Sequence, residues 1–245
     1  NLKMNNATKI VNELIYDYNL NVEEAIDIED LISKMNIRLV STELEEGILG
    51  ASKVEGLKRL IVISSKVYNE EQKKFTLAHE LGHILIHRGT HYFYKEDLST
   101  IYTSKQKEDE ADRFAVELLL PSKIIENIMK ENDVNFELIK QISKKYRMSL
   151  TSTAIRVAEL TNENIILLYH KNNTIKWWHK SNGEIFFNER YRGINLARIE
   201  QERDIPSRNV ELNLWLSEDE DLYSCYEETI YFNKLNEYMT LVQII

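Results

Sequence analysis

Residues 75–94 read FTLAHELGHILIHRGTHYFY and place His79, His83, His87 and His91 at intervals of four, with Glu80 directly after the first. Four residues make about one helical turn, so on a helix the four imidazoles stand on one face. His79, Glu80 and His83 form the pattern His-Glu-x-x-His. Two imidazoles one turn apart can ligate one metal ion, and the glutamate between them can take a proton from a water at that metal. The bland alternative is a pair of histidines packed in a core. The apolar lead-in FTLA and Gly82, which permits close packing at this point, favour the metal. Zinc is the expected ion on ligand type, although a set of two histidines and a glutamate also accepts manganese, cobalt or iron.

Two histidines leave such a centre one ligand short, since a catalytic zinc takes three protein ligands and keeps one position for water. His87 does not supply the third. It lies two turns from His79, about 11–12 Å along an unbroken helix, against zinc–nitrogen bonds near 2 Å. Extension to a third histidine ten residues after the first fails as well, because that position is Gly89. His87 and His91 are therefore read as supporting, capping or surface residues. The segment SKQKEDEADRFAVELL (104–119) offers Glu108, Asp109, Glu110, Asp112 and Glu117. Glu108 and Asp112 are four apart and share a face, so one can reach the metal while the other orients a ligating histidine through its second nitrogen. Glu110 points about 200° away from Glu108 and reads, with Lys107 and Asp109, as solvated helix face.

The elements that must carry these groups follow from periodicity and punctuation. Helices are expected at 6–18, around 28–35 from Asp27 or Ile28, at 71–88, at 104–119 behind a Ser104 cap, at 122–131, and over 134–160 with a turn near YRMS. Strands are expected at 37–40 and 56–65. Beyond about residue 161 the pattern becomes β-rich, with turns at Asn172-Asn173 and Asn182-Gly183 and further strands at 210–216 and 228–245. The expected fold class is α+β: a mostly helical zincin-like domain with a small sheet over 1–160, then a small antiparallel β domain over 161–245. Tyr169, Trp177, Trp178 and Phe187 in that second part are read as core rather than as a ligand pocket.

Bulk properties limit the function classes. A net charge of −9 argues against a protein that coats nucleic acid, which needs a basic surface. One cysteine, Cys225, forms no internal disulfide and fits a reducing compartment. No stretch approaches the roughly 20 apolar residues of a membrane helix. The first twenty residues lack a continuous apolar run and a small-residue cleavage site. A cytoplasmic protein is expected, of a subunit count that the sequence leaves open.

FTLAHELGHILIH followed by EDEADRFAVELLLP resembles the ImmA/IrrE family of zinc metallopeptidases, which belong with the gluzincins; the likeness runs over roughly residues 7–160. It implies a zinc held by His79, His83 and Glu108, Glu80 as general base, and Asp112 as the aspartate that follows the ligand glutamate by four. It also implies a protein substrate, a helix-turn-helix transcriptional repressor, with a regulatory role for the C-terminal part as in some relatives. An extended substrate segment could pair with the strand near 58–64. Two other readings stand beside proteolysis. One is a regulator that binds DNA through the locally basic 134–160 segment (Lys140, Lys144, Lys145, Arg147, Arg156), against the overall charge. The other is a toxin-like partner that retains zinc and holds a protein without cutting it.

Overall fold

The computed structural model describes residues 6–87, 90–94 (backbone), 105–181, 196, 199–200, 202–211, 215 and 224–245. The chain divides into two compact units, Asn1–Ile124 with Lys145–Ser149, and Ile125–Lys144 with Leu150–Ile245. The sheet of the second unit begins at residue 164.

The first unit holds α1 (Asn6–Asp17), α2 (Ile28–Lys34), β1 (Arg38–Thr42), β2 (Ile48–Glu55), β3 (Lys58–Ser64), α3 (Glu70–Ile86), β4 (Thr90–Tyr94) and α4 (Lys105–Leu119). Local chemistry explains the starts. The Asp27 carboxylate accepts the Asp30 N–H at 3.0 Å, and Asn69 Oδ1 accepts the Gln72 N–H at 2.8 Å, each satisfying a donor that a helix N-terminus leaves bare. The Ser104 cap lies outside the described residues. Strands run in the order β1-β3-β2-β4, with β1 and β3 parallel and the other pairs antiparallel.

Two of these strands, β2 and β4, are absent from the sequence expectation. The turn between β2 and β3 is a two-residue loop between paired Glu55 and Lys58, and Gly56 takes φ +61 there. That glycine starts a hairpin loop instead of the strand expected from 56. In consequence β3 is an interior strand, paired on both sides, and its backbone groups are already used. The expectation that it takes up a substrate segment is thereby corrected. The outer edge of β4 has no partner strand among the described residues.

Three more helices follow, α5 (Ser122–Lys130), α6 (Phe136–Tyr146) and α7 (Leu150–Leu160), most of whose residues belong to the second unit. β5 (Asn164–Lys171), β6 (Thr174–Lys180), β7 (Ile205–Val210), β8 (Cys225–Phe232) and β9 (Glu237–Ile244) build an antiparallel sheet in the order β6-β5-β9-β8-β7. Asn172 and Asn173 both take positive φ (50° and 56°), as the expected two-residue hairpin requires. The Asn182-Gly183 turn and Phe187 lie outside the described residues, as does most of the strand expected at 210–216; a strand ends at Val210 instead. Pro206 is tolerated in it because β7 pairs only with β8 among the described residues. Ile166, Leu168, Ile205, Trp215, Cys225, Val242 and Ile244 form the core on this sheet, and α7 packs on β5. Coverage on both faces explains why IILLY reads as an unbroken apolar run. The Tyr169 and Trp177 rings stack at 5.1 Å, half-buried, while Trp178 is exposed. The reading of these aromatics as core is corrected: β6 pairs only with β5 among the described residues, and its side chains remain partly in solvent. The architecture as a whole is α+β. No helix among the described residues is long and apolar enough to cross a membrane.

Candidate metal centre

α3 is buried without interruption from Thr76 to Ile84. The reason is its place: β2, β3 and β4 pack on it, and so do α2 and α4. His79, Glu80 and His83 are all fully buried. The approach of α4 depends on Gly82. A Cβ there would stand 3.0 Å from Phe114 Cδ1 and 3.3 Å from the Ala111 Cα and carbonyl oxygen. Gly82→Ala must therefore push α4 outward, with an expected loss of about 1–3 kcal/mol together with weaker metal binding. Denaturant unfolding and a zinc titration of the variant check both, and unchanged values would show that the helices have room to spare.

That close approach brings α4's carboxylates to α3's imidazoles. His79 Nε2 lies 3.0 Å from His83 Nε2 and 3.1 Å from Glu108 Oε2, and His83 Nε2 lies 3.4 Å from Glu108 Oε1. Three donors on a tetrahedral ion with bonds of 2.0–2.1 Å would stand about 3.3 Å apart. The three groups therefore fit a metal ion of that size. Among the described residues they are the one cluster of histidine, cysteine and carboxylate ligands able to hold one. Glu108 Oε1 is buried and makes no hydrogen bond of good geometry, its contact with His83 Nε2 being 3.4 Å, and a cation would supply a stronger partner.

Asp112 and Glu110 occupy the outer side. His79 Nδ1 is 2.8 Å from Asp112 Oδ1, so its N–H donates to the carboxylate and the Nε2 lone pair turns to the centre. Glu110 does not lie idle on a solvated face: Oε2 is 3.0 Å from His87 Nε2, a correction that follows from how α3 ends. The helix stops at Ile86, and His87 caps it in extended conformation (φ −116°, ψ 159°) with its N–H on the His83 carbonyl at 2.9 Å. Its ring folds back so that Nδ1 lies 3.0 Å from His83 Nδ1. Glu117 accepts from Ser122 N–H and Oγ, and has no part in the cluster.

The electrostatics favour positive charge at the centre. Burial disfavours the charged form of His79, but Asp112 and Glu108 outweigh it and hold its pKa up to about 9. Burial likewise pushes Glu108 up, and the two histidines outweigh that, bringing it down to about 2.

Glu80 faces β2 at Gly50. A Cβ on Gly50 would stand 2.7 Å from Thr76 Cγ2 and 3.1 Å from Glu80 Oε1, so any side chain here would press on the glutamate. The neighbouring pairing with β4 slips between Ile48 and Gly50, an irregularity of the kind that gathers beside functional sites. Sequence reasoning missed Gly50; a glycine inside an apolar run was the available signal. His91 pairs with Ser52 in β4, where Tyr92 and Tyr94 also lie; Tyr102 is outside the described residues.

Residues 32–158, just over half the chain, match the family described as the IrrE N-terminal-like domain (Peptidase_M78). The chain belongs to this peptidase family. The matched span contains all of α3 and α4, and with them the cluster of His79, His83 and Glu108. Over 97 residues, 39% of its length, the chain is 37% identical to "Uncharacterized immunity region protein 2" of Bacillus phage phi105, and it spans 60% of that relative. Among solved structures, a "Mycobacterium tuberculosis transcriptional regulator" is similar at a TM-score of 0.58 and 11% identity, covering 97% of this chain and 75% of that one. That likeness concerns the fold. The family match and the triad of possible metal ligands fall on the same two helices.

Proposed function

We propose that the chain is a zinc-dependent endopeptidase whose substrate is a protein, a helix-turn-helix transcriptional repressor. The observation that supports it most is the convergence of His79 Nε2, His83 Nε2 and a Glu108 oxygen within 3.0–3.4 Å on a chain of this family. His79, His83 and Glu108 would hold the ion, with Asp112 orienting His79. When bound, zinc supplies a Lewis acid that lowers the pKa of a coordinated water to near 7 and polarises a carbonyl. Glu80 accepts the proton of the attacking water and delivers it to the leaving amine. Burial of Glu80 strengthens both transfers by excluding competing solvent. The outer edge of β4, without a partner strand among the described residues, would offer backbone donors and acceptors on which an extended peptide can add as a strand. The name of the phage relative, an immunity region protein, supports a repressor as substrate.

The test is to incubate the zinc-loaded protein with the product of the neighbouring gene, where that gene encodes a helix-turn-helix protein, and to follow both chains by mass spectrometry. Two fragments from one internal cut, absent with a chelator, are expected. A stable complex with an intact repressor would instead favour a partner that holds without cutting.

A further inference from the structure

His83 has a second partner line that the proposed chemistry does not use. It begins at the surface with Glu110, half-exposed at 38% of its side chain, whose Oε1 accepts from Gln106 Nε2 at 3.0 Å and is thereby steadied. Its Oε2 stands 3.0 Å from His87 Nε2, and His87 Nδ1 stands 3.0 Å from His83 Nδ1. Proton positions along this line follow from one fact: an ionised carboxylate only accepts. His87 must therefore carry its proton on Nε2 to meet Glu110. A neutral His87 then has a lone pair on Nδ1, so the proton between the two rings belongs to His83 Nδ1. A neutral His83 protonated there presents its Nε2 lone pair to the cluster. The line thus ends with the ring of His83 held in the tautomer that a metal ligand needs, and Asp112 does the same for His79 in a single step.

We propose that His87 and Glu110 are positioning residues: a two-step relay that fixes the tautomer and orientation of His83 as a metal ligand. This rests on the reading of the centre as a metal site. His87 is no ligand, since both its ring nitrogens are engaged elsewhere, on His83 Nδ1, the nitrogen turned away from the centre, and on Glu110. Helix capping is not the role at stake either, because the backbone N–H of residue 87 makes that contact whatever the side chain.

Zinc affinity at fixed pH, measured by competition with a chromophoric chelator, separates the cases, with the visible spectrum of the cobalt-loaded protein as second readout. His87→Phe keeps a ring but loses the acceptor. It is expected to weaken zinc about 10–100-fold and to shift the cobalt bands. His87→Asn places an amide oxygen where Nδ1 stands, and is expected to recover most of that loss. At the exposed end, where folding is not at risk, Glu110→Ala weakens zinc and Glu110→Gln, which keeps an acceptor oxygen, restores it. Wild-type affinity and an unchanged cobalt spectrum in His87→Phe overturn the relay, as does His87→Asn binding no better than His87→Phe. Failure of the wild-type chain itself to bind zinc or cobalt overturns the metal centre and the relay with it, a result distinct from either of those.

Discussion

Glu80→Gln is expected to keep its metal and to cleave about 10²–10⁴-fold more slowly than the wild type. The amide has nearly the shape of the carboxylate, so the fully buried site beside Gly50 still accommodates it. Glutamine cannot take a proton from water, so the step proposed for Glu80 would be lost while the three groups of the cluster stay in place. Metal content by elemental analysis and the rate of repressor cleavage are the two measurements. A variant that cuts at the wild-type rate would remove Glu80 from the mechanism, and one that comes without metal would make its loss of activity uninformative about proton transfer.

Glu108→Ala is expected to lose zinc by more than the about 10–100-fold that an outer partner contributes. Two histidines one turn apart remain, which leaves the ion short of its third protein ligand. The contrast with Glu110→Ala is the informative part. Both glutamates sit on α4, but Glu108 meets the two imidazoles at the cluster while Glu110 meets the outer imidazole, His87. A ligand that binds only the folded chain stabilises it by mass action, about 2.7 kcal/mol at a free concentration 100 times its Kd. Added zinc should therefore raise the melting temperature of wild type and Glu110→Ala, and leave Glu108→Ala where it was. An equal rise in all three would place the ion elsewhere.

What could be read without the fold is what geometry within one helix determines. His79, Glu80 and His83 are related by the helical repeat alone, so their spacing carries the chemistry directly, and the same repeat puts Glu108 and Asp112 on one face of the next long helix. The strands at 48–55 and 90–94 were not legible, because the hairpin turn at Gly56 and a short aromatic run carry weak local signals. Missing β2 also misplaced β3, whose interior position is a property of the sheet and of no single strand.

By itself, then, the sequence determined which groups stand as candidates for the site and their relation within each helix. The tertiary structure decided how closely α3 and α4 approach, which Gly82 controls from one side and Ala111 from the other. It decided that Gly50 of β2 lies against Glu80, and that the chain leaves its helix at His87 so that one more imidazole turns back toward His83. Those relations join residues from different elements. Only packing sets such distances, since no repeat along the chain encodes the separation between two faces that meet in space.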